Sequence, residues 1–294
     1  MGYTVAILGA SGAVGQQALR LLEQRQFPVD ELRLLASPRS AGKKVPFRGR
    51  LLTVEAVTPE LFEGVDVAIF SAGGGVSEEW APIAAEKGAI VVDNTSAFRM
   101  AEDVPLVVPE VNVHTIEKRP PRGIIANPNC STIQMVHTLK PLHDKWTLKR
   151  LVVATYQSVS GAGNVAIDET LDQSAAILAG DEEIEPKKFP HQIAFNAIPH
   201  IDVFQDNGYT KEEMKMVNET RKILEASDIR TSVTCVRVPV LRGHSESINA
   251  EFDSKVSADE ARDILSKFPG IVVVDDPKNG HYPLATYRDR KSVV

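Results

Sequence analysis

Short apolar runs alternate with stretches of helical spacing along the first half of the chain. The predicted strands are Tyr3–Leu8, Glu31–Ala36, Val65–Phe70, Ala89–Val92, Leu106–Val108 and Ile124–Ala126, and the predicted helices are Gly15–Gln24 and Glu78–Lys87. Strands that alternate with helices in this way form a parallel sheet with helices on both faces. We therefore expect an α/β fold with a doubly wound parallel sheet in this half.

The second half carries longer β runs that are separated by helices. The predicted strands are Leu151–Ser158 and Ser232–Leu241, the predicted helices are Ala166–Ala179 and Lys211–Ala226, and Asp181–Pro190 is predicted to be a surface loop. This pattern indicates an α+β domain beside the doubly wound one. We place the boundary at Asn127, in an Asn-Pro-Asn turn, so that residues 1–127 form the first domain and residues 128–294 the second.

The composition is that of an ordinary globular protein, with 43% apolar and 24% charged residues. The formal net charge is −6 and no basic run occurs, which argues against a nucleic-acid partner or an anionic membrane. No apolar stretch has the length of a membrane span, and the N-terminal run lacks the features of a signal peptide. Two cysteines cannot build a disulfide framework, so we expect a soluble protein of the reducing cytoplasm. No metal site is predicted.

A glycine-rich turn follows the first predicted strand. Its sequence is Gly-Ala-Ser-Gly-Ala-Val-Gly, at positions 9–15, and it leads into the first predicted helix. Glycines at such a turn let the backbone approach a pyrophosphate, and the helix N-terminus offers N–H groups to the phosphates. We predict a dinucleotide site here, with a turn that binds no ligand as the alternative. The candidate residues are Gly9, Ser11, Gly12, Ala13 and Val14.

The end of the second predicted strand indicates which dinucleotide binds. An acidic residue at this position binds the ribose 2′-hydroxyl of NAD, whereas arginine accommodates the 2′-phosphate of NADP. The segment contains no acidic residue but carries Ser37, Arg39 and Ser40, which can bind a phosphate. NADP is therefore the predicted cofactor, and the alternative is that Arg39 and Lys43 belong to a solvated loop. Further candidates for the cofactor site, in the turn after the third strand, are Ser71, Ala72 and Gly73.

The sequence Asn-Pro-Asn-Cys-Ser-Thr, at positions 127–132, precedes the apolar helical run Ile133–Leu139. Cys130 is therefore expected at a helix N-terminus, where the dipole and unpaired N–H groups stabilise a thiolate that can attack carbonyl carbon. A generic cysteine is more often a small buried hydrophobe. Cys235, inside an apolar strand, fits that alternative, whereas the polar neighbours of Cys130 do not.

A thiolate nucleophile needs a proton donor or acceptor, and the chain has seven histidines. Six of them have no distinctive partner in the sequence: His114, His137, His143, His191, His200 and His281. His244 follows a predicted strand, and Gly243 before it allows a sharp bend that could aim the ring into a cleft. His244 is therefore the best candidate, although a single histidine is more often on the surface or in the core.

Several motifs along the chain together resemble one family. They are Gly-Ala-Ser-Gly-Ala-Val-Gly at 9–15, Asp-Asn-Thr-Ser-Ala-Phe-Arg at 93–99, Asn-Cys-Ser-Thr at 129–132, Gln157 with Ser-Gly-Ala-Gly at 160–163, Cys-Val-Arg-Val-Pro-Val at 235–240 and His-Ser-Glu-Ser at 244–247. In this order they resemble the aspartate-β-semialdehyde dehydrogenase family, from Met1 to about Tyr287. Glyceraldehyde-3-phosphate and N-acetyl-glutamyl-phosphate reductases share the architecture but differ around the nucleophile. The resemblance implies that residues 1–127 form an NADP-binding domain with a Rossmann-like sheet. It also implies that residues 128–294 form an α+β catalytic and dimerisation domain of the glyceraldehyde-3-phosphate dehydrogenase type.

The resemblance also implies a reaction and residue roles. The reaction is the NADP-dependent reductive dephosphorylation of L-4-aspartyl phosphate to L-aspartate 4-semialdehyde, which leads to lysine (through diaminopimelate), methionine and threonine. The catalytic residues would be Cys130 as nucleophile, His244 as general acid/base and Gln157, which orients the thioacyl group. The substrate would contact Arg237 through its carboxylate, Glu219 through its amine, Lys222 and Arg99 through its phosphate, and Asn129. Asn94, Ser160 and Gly161 would join the cofactor site. The partners would be this small-molecule substrate, phosphate and further copies of the chain in a homodimer or homotetramer.

Four charged residues of the helix Lys211–Ala226 recur every three or four positions and share one face. They are Glu212, Lys215, Glu219 and Lys222. Without the resemblance, an exposed ladder of ion pairs is the better interpretation. With it, we expect Glu219 and Lys222 to act in the site and Glu212 to belong to such a ladder, and Lys215 stays open.

Two further functions remain as alternatives. One is a non-catalytic NADP-binding paralogue, against which the joint presence of Cys130, Gln157, Arg237 and His244 argues. The other is the reduction of a different acyl phosphate. The closing motif of the family, similar to Asp-Asn-Leu-x-Lys-Gly-Ala-Ala, has no counterpart before Val294, so we expect the C-terminal segment of the family to be absent.

Overall fold

Two sets of elements, one in each half of the chain, carry the secondary structure. The computed structural model describes residues 2–116, 118–181, 183–286 and 292–294, so Tyr287, where the family resemblance ends, lies outside the described residues, as does Met1. The chain forms two units. The first comprises Met1–Val107 and Val113–Pro128, and the second comprises Val108–Asn112 and Asn129–Val294.

The first unit contains, among its described residues, a seven-stranded sheet in the order β3-β4-β2-β1-β5-β6-β7. The strands are β1 Tyr3–Leu8, β2 Val29–Ala36, β3 Lys44–Phe47, β4 Arg50–Ala56, β5 Val67–Phe70, β6 Ile90–Asp93 and β7 Ile124–Ala126. Neighbouring strands are parallel except β3 and β4. Helices α1 (Ala13–Gln24) and α2 (Gly74–Glu86) make the crossovers after β1 and β5. Because both faces of such a sheet are covered, Val5–Leu8 of β1 are buried at every position rather than at alternate ones.

Two predictions in this unit were wrong. The hairpin of β3 and β4 was missed, because its turn is Arg48-Gly49 rather than a typical Asn-Gly pair. Both residues have positive φ, 47° and 74°, as a type I′ turn requires. The predicted strand Leu106–Val108 is only an isolated bridge from Leu106 to Ala126, since Pro109 directly begins the short helix α3 (Pro109–Asn112).

The second unit contains a three-stranded sheet in the order β10-β8-β9. Its strands are β8 Leu148–Gln157, β9 Arg230–Arg237 and β10 Ser245–Phe252, and β11 Ile271–Val272 pairs separately with β12 Ser292–Val293. The helices are α4 Cys130–Trp146, α5 Asn164–Ala179, α6 Lys211–Ile223 and α7 Ala258–Lys267. Strand β8 runs parallel to β9 and antiparallel to β10. Residues alternate between buried and exposed along β8, so one face of this sheet packs on the core.

The sequence prediction missed β10 and α7 and extended β9 to Leu241, four residues too far. Strand β10 is half exposed and largely polar, so it lacks the apolar alternation that marked β8. Helix α7 does begin with a capping box, in which Ser257 and Glu260 exchange hydrogen bonds. That signal was present in the sequence and was overlooked. Among the described residues, no helix is both long enough and apolar enough to cross a membrane.

Candidate active site

The glycine turn after β1 has the geometry that a dinucleotide needs. Gly9 has φ +97°, and a Cβ on it would lie 2.8 Å from Ser71 Oγ. A Cβ on Gly15 would lie 2.3 Å from the carbonyl oxygen of Gly9, so α1 packs against this turn only without a side chain there. Gly12 is the N-cap of α1 and supplies no side-chain cap. The N–H groups of the first turn, at Ala13 and Val14, are therefore available to a phosphate, and these residues fit the cofactor.

Three other predicted cofactor segments lie at the carboxyl ends of strands in the same sheet. Ser37, Arg39 and Ser40 follow β2, and Arg39 is exposed with no ion pair among the described residues. Ser71, Ala72 and Gly73 follow β5 and lead into α2, and Gly73 has φ +105°. Asn94 follows β6. Its carboxamide oxygen accepts a hydrogen bond from Asn127 Nδ2 at 2.6 Å.

Arg99 lies in the first unit and is 7% exposed. Its guanidinium donates to the main-chain oxygens of Asn127 at 2.9 Å and Asn94 at 3.1 Å. These bonds tie together the chain segments that follow β6 and β7. Its predicted phosphate contact stays a prediction.

Cys130 is the first residue of α4, as predicted. Asn129 caps this helix, because its side-chain oxygen accepts hydrogen bonds from the N–H groups of Ser131 (3.0 Å) and Thr132 (3.3 Å). Cys130 is exposed, whereas Cys235 is fully buried. Burial raises the pKa of the Cys235 thiol to about 12. Of the two thiols, Cys130 is therefore the one that a substrate can reach.

His244 lies directly before β10 and brings its Nε2 to 3.1 Å from Cys130 Sγ. Gly243 makes this approach possible, since it has φ +91° and a Cβ there would lie 2.5 Å from the oxygen of Ala285. The main-chain N–H of Ser158 donates to His244 Nδ1 at 3.0 Å. Because Nδ1 accepts that bond, the neutral ring carries its proton on Nε2, facing the sulfur.

The charge state of His244 follows from its surroundings. Burial, and then the positive charge of Arg237, lower the pKa of His244 to about 4, and Glu212 opposes this only in part. At neutral pH, His244 is therefore a neutral ring that offers an Nε2 proton to Cys130.

A buried carboxylate joins the two predicted amides of the site. Glu212 Oε1 accepts hydrogen bonds from Gln157 Nε2 at 3.0 Å and Asn129 Nδ2 at 2.9 Å. Its other oxygen pairs with Lys215 at 3.1 Å, and Lys215 also binds Asp202 at 2.8 Å. Burial by itself would raise the pKa of Glu212. The charge of Lys215 and the two amide hydrogen bonds outweigh burial and hold that pKa below its ordinary value.

The expectation that Glu212 belongs to an exposed charge ladder was therefore wrong, because Glu212 is only 6% exposed. Packing against other elements, which periodicity does not reveal, covers this face of α6. Glu219 is 1% exposed, and its Oε2 accepts from the main-chain N–H of Asn129 at 2.6 Å. Lys222 lies half-buried near the end of the same helix.

Arg237 ends β9 and lies beside the turn that follows β8. Its Nη1 donates to the oxygen of Ser158 at 2.6 Å. Burial lowers the pKa of Arg237, although Glu212 opposes this shift. Gly161 lies in this turn, where a Cβ would be 3.0 Å from Arg237 Nη1, and Ser160 Oγ is 2.9 Å from Ser158 Oγ. Ser160 and Gly161 thus lie close to Arg237 and His244 in the second unit. Their predicted role in cofactor binding stays a prediction.

Sequence reasoning missed three contributors to this site. They are Glu212, the main-chain N–H of Ser158, and Glu246, which accepts a hydrogen bond from Gln134 on α4. Two of them depend on which side chains lie beside Gln157 and His244 in space. The His-Ser-Glu-Ser motif did contain Glu246, but its partner lies 112 residues away.

Comparisons with known proteins agree with this architecture. Residues 4–119 match the semialdehyde dehydrogenase NAD binding domain, and residues 139–292 match the semialdehyde dehydrogenase dimerisation domain. An aspartate-semialdehyde dehydrogenase of Aquifex aeolicus is 56% identical, with 100% of this chain and 87% of the relative covered. One of Bacillus subtilis is 54% identical, with 96% of this chain and 83% of the relative covered.

Solved structures agree as well. Aspartate semialdehyde dehydrogenase II of Vibrio cholerae superposes with a TM-score of 0.94 at 50% identity, covering 98% of this chain and 85% of that one. The same Vibrio protein is also known in complex with ASA. An aspartate semialdehyde dehydrogenase of Candida albicans with NADP has a TM-score of 0.71 at 27% identity, covering 98% of this chain and 85% of that one.

The fold and the site define an oxidoreductase that has a Rossmann-type NAD(P)-binding domain and a dimerisation domain of the glyceraldehyde-3-phosphate dehydrogenase type. Within this class, the chain belongs to the aspartate-semialdehyde dehydrogenase family. Enzymes of this family catalyse the reductive dephosphorylation of aspartyl phosphate in amino-acid biosynthesis. The predicted family, fold class and type of enzyme are therefore confirmed.

Proposed function

We propose that this enzyme reduces L-4-aspartyl phosphate to L-aspartate 4-semialdehyde through a thioester on Cys130, with NADP(H) as its cofactor. The observation that carries this proposal is the 3.1 Å contact between Cys130 Sγ, at the first position of α4, and the protonated Nε2 of His244. A helix N-terminus and an N–H donor both favour the thiolate, which is the reactive form of the side chain.

In the first step, the Cys130 thiolate attacks the acyl carbon of the substrate. A carbon–sulfur bond forms, the bond from carbon to the phosphate oxygen breaks, and inorganic phosphate leaves with the electron pair. The side-chain amides of Gln157 and Asn129 both donate hydrogen bonds to Glu212 Oε1. This contact holds the Gln157 amide in place, where we propose that it orients the thioacyl oxygen. The predicted phosphate contacts are Arg99 and Lys222.

In the second step, the thioester is reduced. The glycine turn after β1 and the loop that carries Arg39 would hold NADPH, which would supply a hydride to the thioester carbon. The resulting tetrahedral oxyanion collapses and its carbon–sulfur bond breaks. The aldehyde is released, and the Cys130 side chain remains as a thiolate. His244 Nε2–H donates to that departing sulfur. In the reverse direction, the same proton position stabilises the thiolate that adds to the aldehyde.

Two charged groups of the site suit a substrate with a carboxylate and an ammonium. The planar guanidinium of Arg237 fits the carboxylate. For the ammonium, we propose the predicted Glu219, whose Oε2 accepts from the main-chain N–H of Asn129, next to Cys130. Glu212 already accepts from Gln157 and Asn129 and pairs with Lys215, so we assign to it the role of holding the two amides in place.

For the cofactor, we propose NADP rather than NAD. The loop after β2 presents Arg39 to solvent without an ion pair among the described residues, and it offers Ser37 and Ser40 as neighbouring hydroxyl donors. The Candida albicans relative with NADP supports this preference.

We also propose that the enzyme assembles as a homodimer or homotetramer. The match to a dimerisation domain supports oligomerisation, and Val152 and Tyr156 lie exposed on the outer face of β8. Light scattering after gel filtration measures the assembly, and a monomer at micromolar concentration would contradict it. The cytoplasmic location stays a prediction.

The test of the reaction is phosphate-dependent reduction of NADP with aspartate semialdehyde. Cys130→Ala should abolish turnover, and His244→Ala should retain weak activity, because positioned acid–base groups contribute roughly 10²- to 10⁴-fold. Cys235→Ala is the matched control and should keep its activity. A Cys130→Ala enzyme that works at the wild-type rate would rule out the thioester route.

A further inference from the structure

Two pairs of polar side chains join the first turns of α4 to His244 and the start of β10, one behind the other, while Trp146 and Phe252 are in contact at the far ends of the two elements, with ring centroids 6.3 Å apart. The first is Cys130 with His244. In the second, Gln134 Nε2 donates to Glu246 Oε1 at 2.7 Å. Cys130 and Gln134 are four residues apart and share a face of α4. His244 and Glu246 are two residues apart along the same strand direction and share a face of it. The Gln134–Glu246 pair therefore lies directly behind the Cys130–His244 pair.

The surroundings of Glu246 are those of a neutral acid. Its Oε2 is buried and has no hydrogen-bond partner among the described residues. Burial raises the pKa of Glu246 to about 8, and the hydrogen bond from Gln134 offsets only part of this. At neutral pH the carboxyl group is therefore mostly protonated, so the pair is a contact between an amide and an uncharged acid.

We infer that Gln134 and Glu246 are a positioning pair that sets the distance between α4 and β10 and so holds the His244 ring at the Cys130 sulfur. This inference rests on the roles proposed above for Cys130 and His244. The Ser158 N–H orients the ring, but pairing of β10 with β8 does not set how far β10 lies from α4. Gly243, on the other side of His244, has a positive φ and carries no side chain. Close to His244, the side-chain contact that joins β10 to the helix is therefore Gln134–Glu246.

The test compares variants of both members of the pair in the full-length enzyme. Glu246→Ala and Gln134→Ala should each lower kcat by about 10- to 100-fold, since a small displacement of reacting groups costs about that much. KM for aspartate semialdehyde should change little, because neither side chain touches substrate. The double variant should be no slower than either single one. Alkylation of Cys130 by iodoacetamide should slow in all three, since the sulfur loses its donor.

Conservative variants separate positioning from a general loss of structure. Glu246→Gln should recover most of the lost kcat, because its amide oxygen still accepts from Gln134. The exchange variant, Gln134→Glu with Glu246→Gln, should recover it too, since donor and acceptor trade places. Glu251→Gln, on the exposed end of β10 beside Arg150, is the control and should match the wild type. Thermal unfolding confirms that each variant folds.

A folded Glu246→Ala enzyme with wild-type kcat and alkylation rate would overturn the inference, and so would additive losses in the double variant. If Glu246→Ala does not fold, the exchange variant decides, and a kcat as low as that of Gln134→Ala counts against the pair. Cys130→Ser is assayed alongside. If the Cys130→Ser enzyme is active, the proposed function is itself contradicted. If the Cys130→Ser enzyme is inactive and the Glu246→Ala enzyme is unaffected, only the inference about the positioning pair is contradicted.

Discussion

At the scale of single residues, the site is controlled by where the His244 proton lies. The Ser158 N–H occupies Nδ1, so the neutral ring holds its proton on Nε2 against the sulfur. The sequence indicated an acid/base histidine but not which nitrogen reacts. With a pKa of about 4, His244 is a neutral ring at neutral pH, so its Nε2–H can donate a hydrogen bond to the Cys130 sulfur.

The protonation state of His244 can be observed directly. Because burial and Arg237 lower its pKa from 6.5 to about 4, we expect ¹⁵N-labelled histidine spectra to show a neutral Nε2–H form that does not titrate between pH 5 and 8. His244→Gln identifies the signal by its loss. A titration midpoint near 6.5 for this signal would contradict the buried, Ser158-bound ring.

The proposed preference for NADP over NAD rests mainly on one exposed side chain, Arg39. Arg39→Ala should raise KM for NADP by about 10-fold, as expected for one charge-assisted hydrogen bond, and should leave KM for NAD nearly unchanged. Arg25→Ala, just beyond the end of α1, is the control for a general change in surface charge. Equal effects on the two cofactors would place Arg39 away from the 2′-phosphate.

At the scale of elements, α4 both supports the fold and presents Cys130, the proposed nucleophile, at its first position. Asn129 caps this helix through two N–H groups and also donates to Glu212. Its neighbour in chain order, Pro128, is the last residue of the first unit. The helix start is therefore defined by Asn129, and Cys130 is fixed at the first position by the cap rather than by its own packing.

The link between the Asn129 cap of α4 and Cys130 can be tested by comparison with the remote cap of α7, Ser257. Asn129→Ala should lower the free energy of unfolding by about 1 kcal/mol and should also slow Cys130 alkylation. Ser257→Ala removes the cap of α7 and should cost a similar free energy, with alkylation unchanged. Urea unfolding and iodoacetamide kinetics measure both. If alkylation falls equally in the two variants, the cap of α4 has no special link to Cys130.

At the scale of the whole molecule, Glu246 makes folding depend on pH. Its pKa is raised by burial from the ordinary 4.5 to about 8, so between these values the folded chain holds a proton that the unfolded chain has lost. Stability from this group is fully present below pH 4.5 and is lost as pH rises through 8. The wild type should lose about 1.4 kcal/mol per pH unit in this window relative to Glu246→Gln.

This pH dependence is measured by urea unfolding of both proteins from pH 4.5 to 9. The difference between them should grow with pH and level off above about 8. A constant difference across the whole range would show that Glu246 is ionised in the folded enzyme and would contradict its burial as a neutral acid.

The sequence by itself determined the features that depend on local order. The parallel sheet follows from strand and helix periodicity, the predicted cofactor turn from the spacing of Gly9, Gly12 and Gly15, and the predicted nucleophile from the helix start at Cys130. The family motifs added the type of enzyme. Strand β10 was not predicted because it is polar and half exposed. Helix α7 was not predicted either, although its capping box can be read from the sequence.

Only the tertiary structure decided which distant side chains meet. His244 and Cys130 are 114 residues apart, and Gln157 and Glu212 are 55 apart, and neither pair leaves a periodic trace in the sequence. The same helical spacing that predicts an exposed ladder on α6 also describes the buried Glu212, since periodicity shows which residues share a face but not what covers it. Burial and the charge of Arg237 lower the pKa of His244, and burial raises that of Glu246. Both shifts depend on packing within the second unit.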